Sequence, residues 1–306
     1  MKKTCDLVAI FTTHEPNESL LVNLRALAKQ VSEIIVVDDG SQSASSLQVL
    51  HYCSGVVGVT LMNNEQNLGI AYSLNRGMAE ALTKGYEWAL TMDQDSLVSP
   101  GFVESILQTR EQYTARERVA MVTPNIVDSS YSSRSGKLLL NNTKPWFRLA
   151  SMDKNDRDDV LIAITSGCLT HLPKIEQVGG FTTDFFIDYV DTQVCLRLIQ
   201  KGYLILFSGK AELSHNLGSP ESADLAGRTV RMLNHGAFRR YYIARNTVYM
   251  YAEFWRTFPN WVMYDLCMGF YSLVTIVLFE SQKKDKLTNS IKGLYHGILG
   301  IKGKLH

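Results

Sequence analysis

Side chains able to do chemistry gather at three places, each directly after a short apolar run. Thr12, Thr13, His14 and Glu15 follow VAIF, Asp38-Asp39-Gly40-Ser41 follows IIVV, and Asp93-Gln94-Asp95 follows the run at 86–92. Along an extended chain, residues two apart point to the same side, so Asp93 and Asp95 can face one hard cation. Mg2+ and Mn2+ take oxygen ligands, commonly one or two carboxylates with phosphates and water completing the shell. A solvated turn is the plainer use of these residues; their position after a buried strand favours the metal. Asp38 and Asp39 are acceptor-only groups suited to a pyrimidine N–H or a ribose hydroxyl, although Asp-Gly is also a turn signal. Asn67, Gly69, Asn75 and Gly77 fall in NNEQNLGIAYSLNRG. Gly77 sits mid-helix, where glycine costs about 1 kcal/mol relative to alanine. A ligand approaching closely would explain it, and so would tight helix–sheet packing. Asp191 opens an amphipathic helix and Asp188 shortly precedes it, positions from which a carboxylate can cap a helix. His215 follows a strand, flanked by Ser214 and Gly218.

These side chains need a scaffold, and the hydrophobic periodicity supplies one. Apolar runs at 6–12, 34–37, 56–62 and 86–92 alternate with helical spacing at 18–29, 45–53 and 69–84. IIVV is the wholly apolar kind of strand that a parallel sheet buries on both faces. The alternation predicts an α/β fold with an open, mostly parallel sheet flanked by helices. Its binding crevice lies beyond the carboxyl ends of the strands, where the three clusters fall. Residues 128–159 are polar and read as a loop or insertion. Order returns at 160–165, a helix at 191–201 stops at Gly202, and a strand at 203–207 leads to His215.

Composition excludes several classes. With 31 Lys+Arg against 30 Asp+Glu the net charge is +1, so nothing marks a general polyanion binder, and no nucleic-acid partner is expected. Five scattered cysteines without CxxC spacing fit neither a disulfide scaffold nor a zinc cage. The N-terminal apolar run is a strand, too short for a secretory signal. The expected location is cytoplasmic. A nicotinamide dehydrogenase or a nucleotidyltransferase would carry a glycine-rich loop after the first strand, where this chain has TTHEPN.

Taken in order, VAIFTTHEPN, IIVVDDGS, NLGIAYSLNRG, LTMDQDS, TSGCLTH, FFIDYVDTQVCLR and SHNLG resemble the family 2 glycosyltransferases of GT-A fold. FFIDYVDTQVCLR and RRYYIARN narrow the likeness to the bacterial rhamnosyltransferases of surface-polysaccharide assembly, O-antigen or capsule. The resemblance implies a nucleotide-diphosphate sugar donor, here dTDP-L-rhamnose, and a glycan acceptor on a polyprenyl diphosphate. It also implies Mg2+ or Mn2+. By position, Asp39 is the base contact, with Thr12, Thr13, Glu15, Asp38, Asn67, Gly69 and Asn75 around the donor. Asp95, Asp93 and His215 are the metal set, Asp93 lying nearer the sugar or ribose. Asp191 is the general base; Val190 stands where the family has Glu, leaving Asp188 as the substitute. Ser166 and Gly167, with Arg240, Tyr241 and Arg245 of a basic-aromatic cluster, are candidates for the acceptor or a diphosphate. The rival use of that cluster is a solvated helix face. The rival to the enzyme as a whole is a nucleotide-sugar-binding or scaffolding protein of the same fold without turnover, favoured by Val190.

The expected organisation is a catalytic domain over 1–220, its donor half at 1–95 and its acceptor half at 96–220, followed by a helical region at 221–306. Within the latter, the apolar stretch 267–279 precedes Lys283, Lys284 and Lys286. An apolar helix edged with lysines reads as an anchor lying in the cytoplasmic face of the inner membrane, or as a helical subdomain. Extended back to Trp261, with Asp265 its one charge, it is polar in places and barely long enough to span.

Overall fold

A computed structural model describes residues 6–127, 136–142, 144–215, 221–225, 228–232 and 234–305. Four βα steps come first: β1 (Val8–Thr13), α1 (Ser19–Leu27), β2 (Glu33–Asp38), α2 (Ala44–Ser54), β3 (Val59–Asn63), α3 (Ile70–Thr83), β4 (Trp88–Asp93), β5 (Ser96–Val98) and α4 (Phe102–Gln112). The middle holds β6 (Val119–Val127), β7 (Lys137–Leu139), β8 (Leu149–Ser151), β9 (Cys168–His171), α5 (Leu172–Gln177), α6 (Val190–Gln200) and β10 (Leu204–His215). A hairpin of β11 (Glu221–Leu225) and β12 (Arg228–Met232) then leads to α7 (Ala237–Phe254), α8 (Pro259–Leu278) and α9 (Lys283–Ile298).

Among the described residues, eight strands form one sheet in the order β3-β2-β1-β4-β9-β6-β10-β5. β9 runs antiparallel to β4 and β6, and β5 antiparallel to β10, while the other pairings are parallel. The mostly parallel sheet expected from the alternation is therefore present. The ordered stretch 160–165 carries no regular element of its own, and β9 begins at Cys168, after the turn made by Ser166 and Gly167. Within the run expected to be a loop, β7 and β8 pair antiparallel, with Leu138 and Leu139 of β7 buried. The rest of the polar run, 128–135, lies outside the described residues.

Alternation along the central strands sends side chains to two helical layers. Ala9, Phe11 and Val36 join Leu20, Leu24, Phe102 and Ile106 on one face. Ile10 and Val37 meet α3 on the other, where a Cβ on Gly77 would stand 2.5 Å from Ile10 Cγ2 and 3.2 Å from Val37 Cγ2. Gly77 is thus a packing residue, not a ligand contact.

The chain clusters into two compact units. One comprises the sheet and its helices to residue 216, without 142–148 and 184–189; the other comprises those two segments and everything from 217 onward. In the second unit α9 packs along α7 through Gly293 and Gly297. A Cβ on Gly293 would meet the Tyr241 carbonyl at 2.2 Å, and one on Gly297 the Arg245 carbonyl at 2.8 Å. Burying the polar ends of such a helix pair requires internal pairing. Glu280, fully buried, accepts from both Arg240 (3.1 Å) and Lys286 (2.9 Å).

Candidate active site

Strand register lines the polar clusters along one edge. Thr12 lies opposite Asp93, Thr13 opposite Asp38, and Asp38 opposite Asn63. Because β9 is antiparallel to β4 and pairs Cys168 with Thr91, the Thr165-Ser166-Gly167 turn reaches the same edge. Gly167 N donates to Thr91 O (2.8 Å). Ser166 Oγ accepts from Asp93 N (3.3 Å) and shares a 2.6 Å hydrogen bond with Ser96 Oγ. Ser96 pairs in turn with His215. The His215 backbone is therefore at this edge, while its side chain lies outside the described residues. Thr165 donates to the Asp191 carboxylate from its backbone N (3.1 Å) and its hydroxyl (3.2 Å). Cys168 lies close by: burial pushes its thiol well up, and the charges of Asp191 and Asp93 push in the same direction.

The turn that carries Asp95 is fastened to the end of β1. Gln94 Oε1 accepts from Thr13 Oγ1 (2.6 Å) and His14 N (2.9 Å), and Asn23 Nδ2 donates to Gln94 O (2.8 Å). Gln94 and Asp95 form a tight turn, so the extended-chain argument for two carboxylates side by side does not apply. Asp93 ends the strand half-buried and Asp95 stands exposed beyond it. Among the described residues no three His, Cys, Asp or Glu groups converge on a metal position. Two carboxylates, one of them exposed, nevertheless suit a hard cation that draws its remaining ligands from diphosphate oxygens and water.

Several residues expected to meet the donor also build the edge. Asp38 accepts from Ser41 N (2.9 Å) and Ser41 Oγ (2.5 Å), closing the DDGS turn. Asp39 accepts from Asn64 Nδ2 (2.9 Å), Leu68 N (2.9 Å) and Gly69 N (2.8 Å), so its carboxylate organises the loop before α3. His14 bridges Asp39 O (2.9 Å) and Asn67 Nδ2 (3.1 Å). Asn75 exchanges hydrogen bonds with the Phe181 backbone (2.7 and 2.9 Å), which employs it in the fold. Glu15 accepts from Gln42 N (2.8 Å), Ser43 N and the Ser43 hydroxyl. Those donors, the Ser43 hydroxyl first, hold its carboxyl down to about 2; it clamps two loops together. Thr165 and Gln94 were not singled out in the sequence. The only signal for Thr165 was its place at the head of TSGCLTH.

In the second unit the basic-aromatic cluster turns inward, which corrects both readings of it. Arg240 is spent on buried Glu280. Arg245, fully buried, donates to the carbonyls of Asp184 (3.0 Å), Phe185 (2.9 Å) and Gly303, and lies over the Tyr242 ring at 4.8 Å. Tyr241 bonds His296 Nδ1 at 2.8 Å. Asp188 accepts at Oδ1 from Arg239 Nη2 (2.8 Å) and Nε (2.9 Å), with Nε also 3.2 Å from Oδ2; burial raises its pKa and the guanidinium opposes that rise. A groove of about 1060 Å3 between α1 and α2, lined by Leu21, Val22, Gln48 and Tyr52 and, toward the sheet edge, by Glu15 and Ser43, has no aspartate in its lining. The open edge, not this groove, has the groups for chemistry.

A mostly parallel sheet with a DxD turn and a framed aspartate at its carboxyl edge has the architecture of the GT-A glycosyltransferases. Solved structures share the fold. GalNAc-T7 with UDP, GalNAc and Mn2+ superposes with a TM-score of 0.60 at 12% identity, covering 98% of this chain and 57% of that one. S. aureus TarS 1-349 superposes at 0.51 and 10% identity, covering 96% and 81%. Residues 8–178 match Glycosyl transferase family 2, more than half of the chain, and the protein belongs to that family. It is 24% identical to the dTDP-rhamnosyl transferase RfbF of Shigella flexneri, over 97% of this chain and 96% of that one. It is 25% identical to the galactofuranosyltransferase GlfT1 of Mycobacterium tuberculosis, over 82% and 83%.

Proposed function

We propose that the protein is an inverting, metal-dependent rhamnosyltransferase. It moves L-rhamnose from dTDP-L-rhamnose to a hydroxyl of a polyprenyl-diphosphate-linked glycan in cell-surface polysaccharide synthesis. The observation that carries the reading is the pair of hydrogen bonds from Thr165 to Asp191 at the edge that ends in Asp93. The choice of sugar is supported by the near full-length likeness to a rhamnosyl transferase. Asp191 takes the proton of the acceptor hydroxyl as that oxygen bonds to the anomeric carbon. The bond from the same carbon to the diphosphate oxygen breaks, and its electron pair leaves with the nucleoside diphosphate. No covalent sugar–enzyme intermediate is needed. A divalent cation held by Asp93 and Asp95, with His215 completing the set, would offset the charge on the departing diphosphate.

The test is turnover. Asp191→Asn should lower transfer by about a hundredfold or more while the protein stays folded, and EDTA should stop it reversibly. Retained transfer in the variant would refute the base assignment. A thermal-shift screen of nucleotide sugars with Mg2+ should single out one donor; donor binding without turnover would favour the scaffolding reading.

The same proposal sets the enzyme on the cytoplasmic face of the inner membrane. α8 is long and apolar enough to cross a membrane, yet little of its most apolar window is buried within the protein. Phe270 and Leu273 on α8, with Ile291 and Ile298 on α9, are exposed. Lysines beside such a face suit an anionic leaflet.

A further inference from the structure

Within the first unit, one buried hydroxyl touches both ends of the turn that carries the DxD carboxylates. Ser166 Oγ accepts from Asp93 N (3.3 Å), at the end of β4, and shares a 2.6 Å hydrogen bond with Ser96 Oγ, at the start of β5. Ser166 is 1% exposed and Ser96 is wholly buried, so neither hydroxyl is placed to meet a substrate. A serine hydroxyl has one proton to give and two lone pairs, enough for both bonds at once. The preceding residue, Thr165, donates to Asp191 from its backbone N (3.1 Å) and its hydroxyl (3.2 Å). Two consecutive residues therefore hold the carboxylate of α6 and the turn after β4. Their own backbone is fixed from β4: Thr91 Oγ1 donates to Thr165 O (2.6 Å), and Gly167 N to Thr91 O (2.8 Å). Gly167 turns the chain at φ 73°, and a Cβ there would stand 2.9 Å from both Leu213 Cδ2 and Pro124 Cγ. Every residue in this arrangement belongs to the first unit.

We propose that Ser166 is a positioning residue: its hydroxyl closes the 93–96 turn while Thr165 holds Asp191, so this dipeptide sets the spacing between the base and the metal-binding carboxylates. The proposal rests on Asp191 acting as the base and on Asp93 and Asp95 holding the cation. Inversion requires the attacking and departing oxygens to lie in line through one carbon, and a misplacement of about 1 Å can cost roughly a hundredfold in rate. A spacer made of adjacent residues meets that tolerance better than two separate anchors would.

Ser166→Ala removes the hydroxyl and leaves the backbone turn in place. With dTDP or UDP present, whichever raises Tm more, the variant should need a severalfold higher Mn2+ concentration to reach half of the Mn2+-dependent rise in Tm. It should also lower kcat about tenfold at saturating Mn2+, with the acceptor KM unchanged. Ser208→Ala is the control, because it removes a comparable buried pairing, with Thr109 (2.8 Å), in which the turn has no part. That variant should lower Tm and leave the Mn2+ midpoint and kcat unchanged. A Ser166→Ala protein with wild-type midpoint and kcat would overturn the proposal. A raised acceptor KM with an unchanged midpoint would overturn it too, by making the hydroxyl an acceptor contact, and so would equal shifts in Ser208→Ala. Should Ser166→Ala fail to fold, Ser96→Ala removes the other hydroxyl of the pair and is held to the same criteria. If Asp191→Asn abolishes transfer and the wild type responds to Mn2+, while Ser166→Ala matches the wild type, the spacer alone falls. If Asp191→Asn keeps transfer, or the wild-type Tm ignores Mn2+, the reading of the site falls and the spacer with it.

Discussion

Thr165 is the described side chain that holds the carboxylate to which the proposed mechanism gives the role of base. Its hydroxyl and its backbone N–H both donate to Asp191. Thr165→Val keeps the shape and removes the hydroxyl donor, so the carboxylate is held less firmly and kcat should fall severalfold while donor affinity is unchanged. Steady-state kinetics of the variant against wild type check this. The DxD and DDGS turns were legible in the sequence because acids after apolar strands are conspicuous, whereas Asp191, at the head of a helix, stood out only through the family resemblance. What each acid does was less legible. Glu15, Asp38 and Asn75 look like ligands in one dimension, and only folding brings Ser43, Ser41 and the Phe181 backbone against them. A carboxylate that closes a turn and one that meets a substrate obey the same spacing rules.

At the level of elements, the βα alternation was plain because strands buried on both faces read as continuous apolar runs. The glycines were ambiguous, since a close approach by ligand or by side chain leaves the same mark. Gly293→Ala sets a methyl 2.2 Å from a backbone carbonyl of α7, which cannot yield without separating the helices. Overpacking of this kind costs about 1–3 kcal/mol, and thermal melts should show a loss of several degrees. Gly77→Ala strikes the Ile10 side chain instead and should cost less. Short helix α5 carries a pH dependence. His171 Nδ1 accepts from Lys174 N as its cap (3.3 Å), and burial, helped by the Lys174 charge, lowers its pKa from 6.5 to about 4. Between those values the unfolded chain binds the proton and the folded one does not, so stability is full above 6.5 and declines as pH falls toward 4. Urea melts at pH 7 and pH 5 should show that slope, and His171→Asn, which caps without titrating, should flatten it.

For the molecule as a whole, the periodicity foretold the sheet but not the interior of the second unit. RRYYIARN reads equally as a solvated or a ligand-binding face, and its inward turn depends on Glu280, forty residues beyond Arg240. Arg240→Met would remove one of the two cations on Glu280, leaving Lys286 and the Thr275 hydroxyl; losing one partner of a buried ion pair costs about 3–5 kcal/mol, seen as a lowered Tm with donor affinity unchanged. The membrane reading also belongs to this scale. Phe270→Glu with Ile291→Glu should abolish sedimentation with phosphatidylglycerol vesicles while donor binding persists, and equal sedimentation of the variant would refute it.

The uncovered outer face of α8 has a practical corollary. In aqueous buffer without amphiphiles, exposed phenylalanine and leucine will seek one another, so purified material should self-associate as it is concentrated. Micelles of a mild surfactant should disperse those aggregates, and light scattering with and without surfactant reads the difference directly.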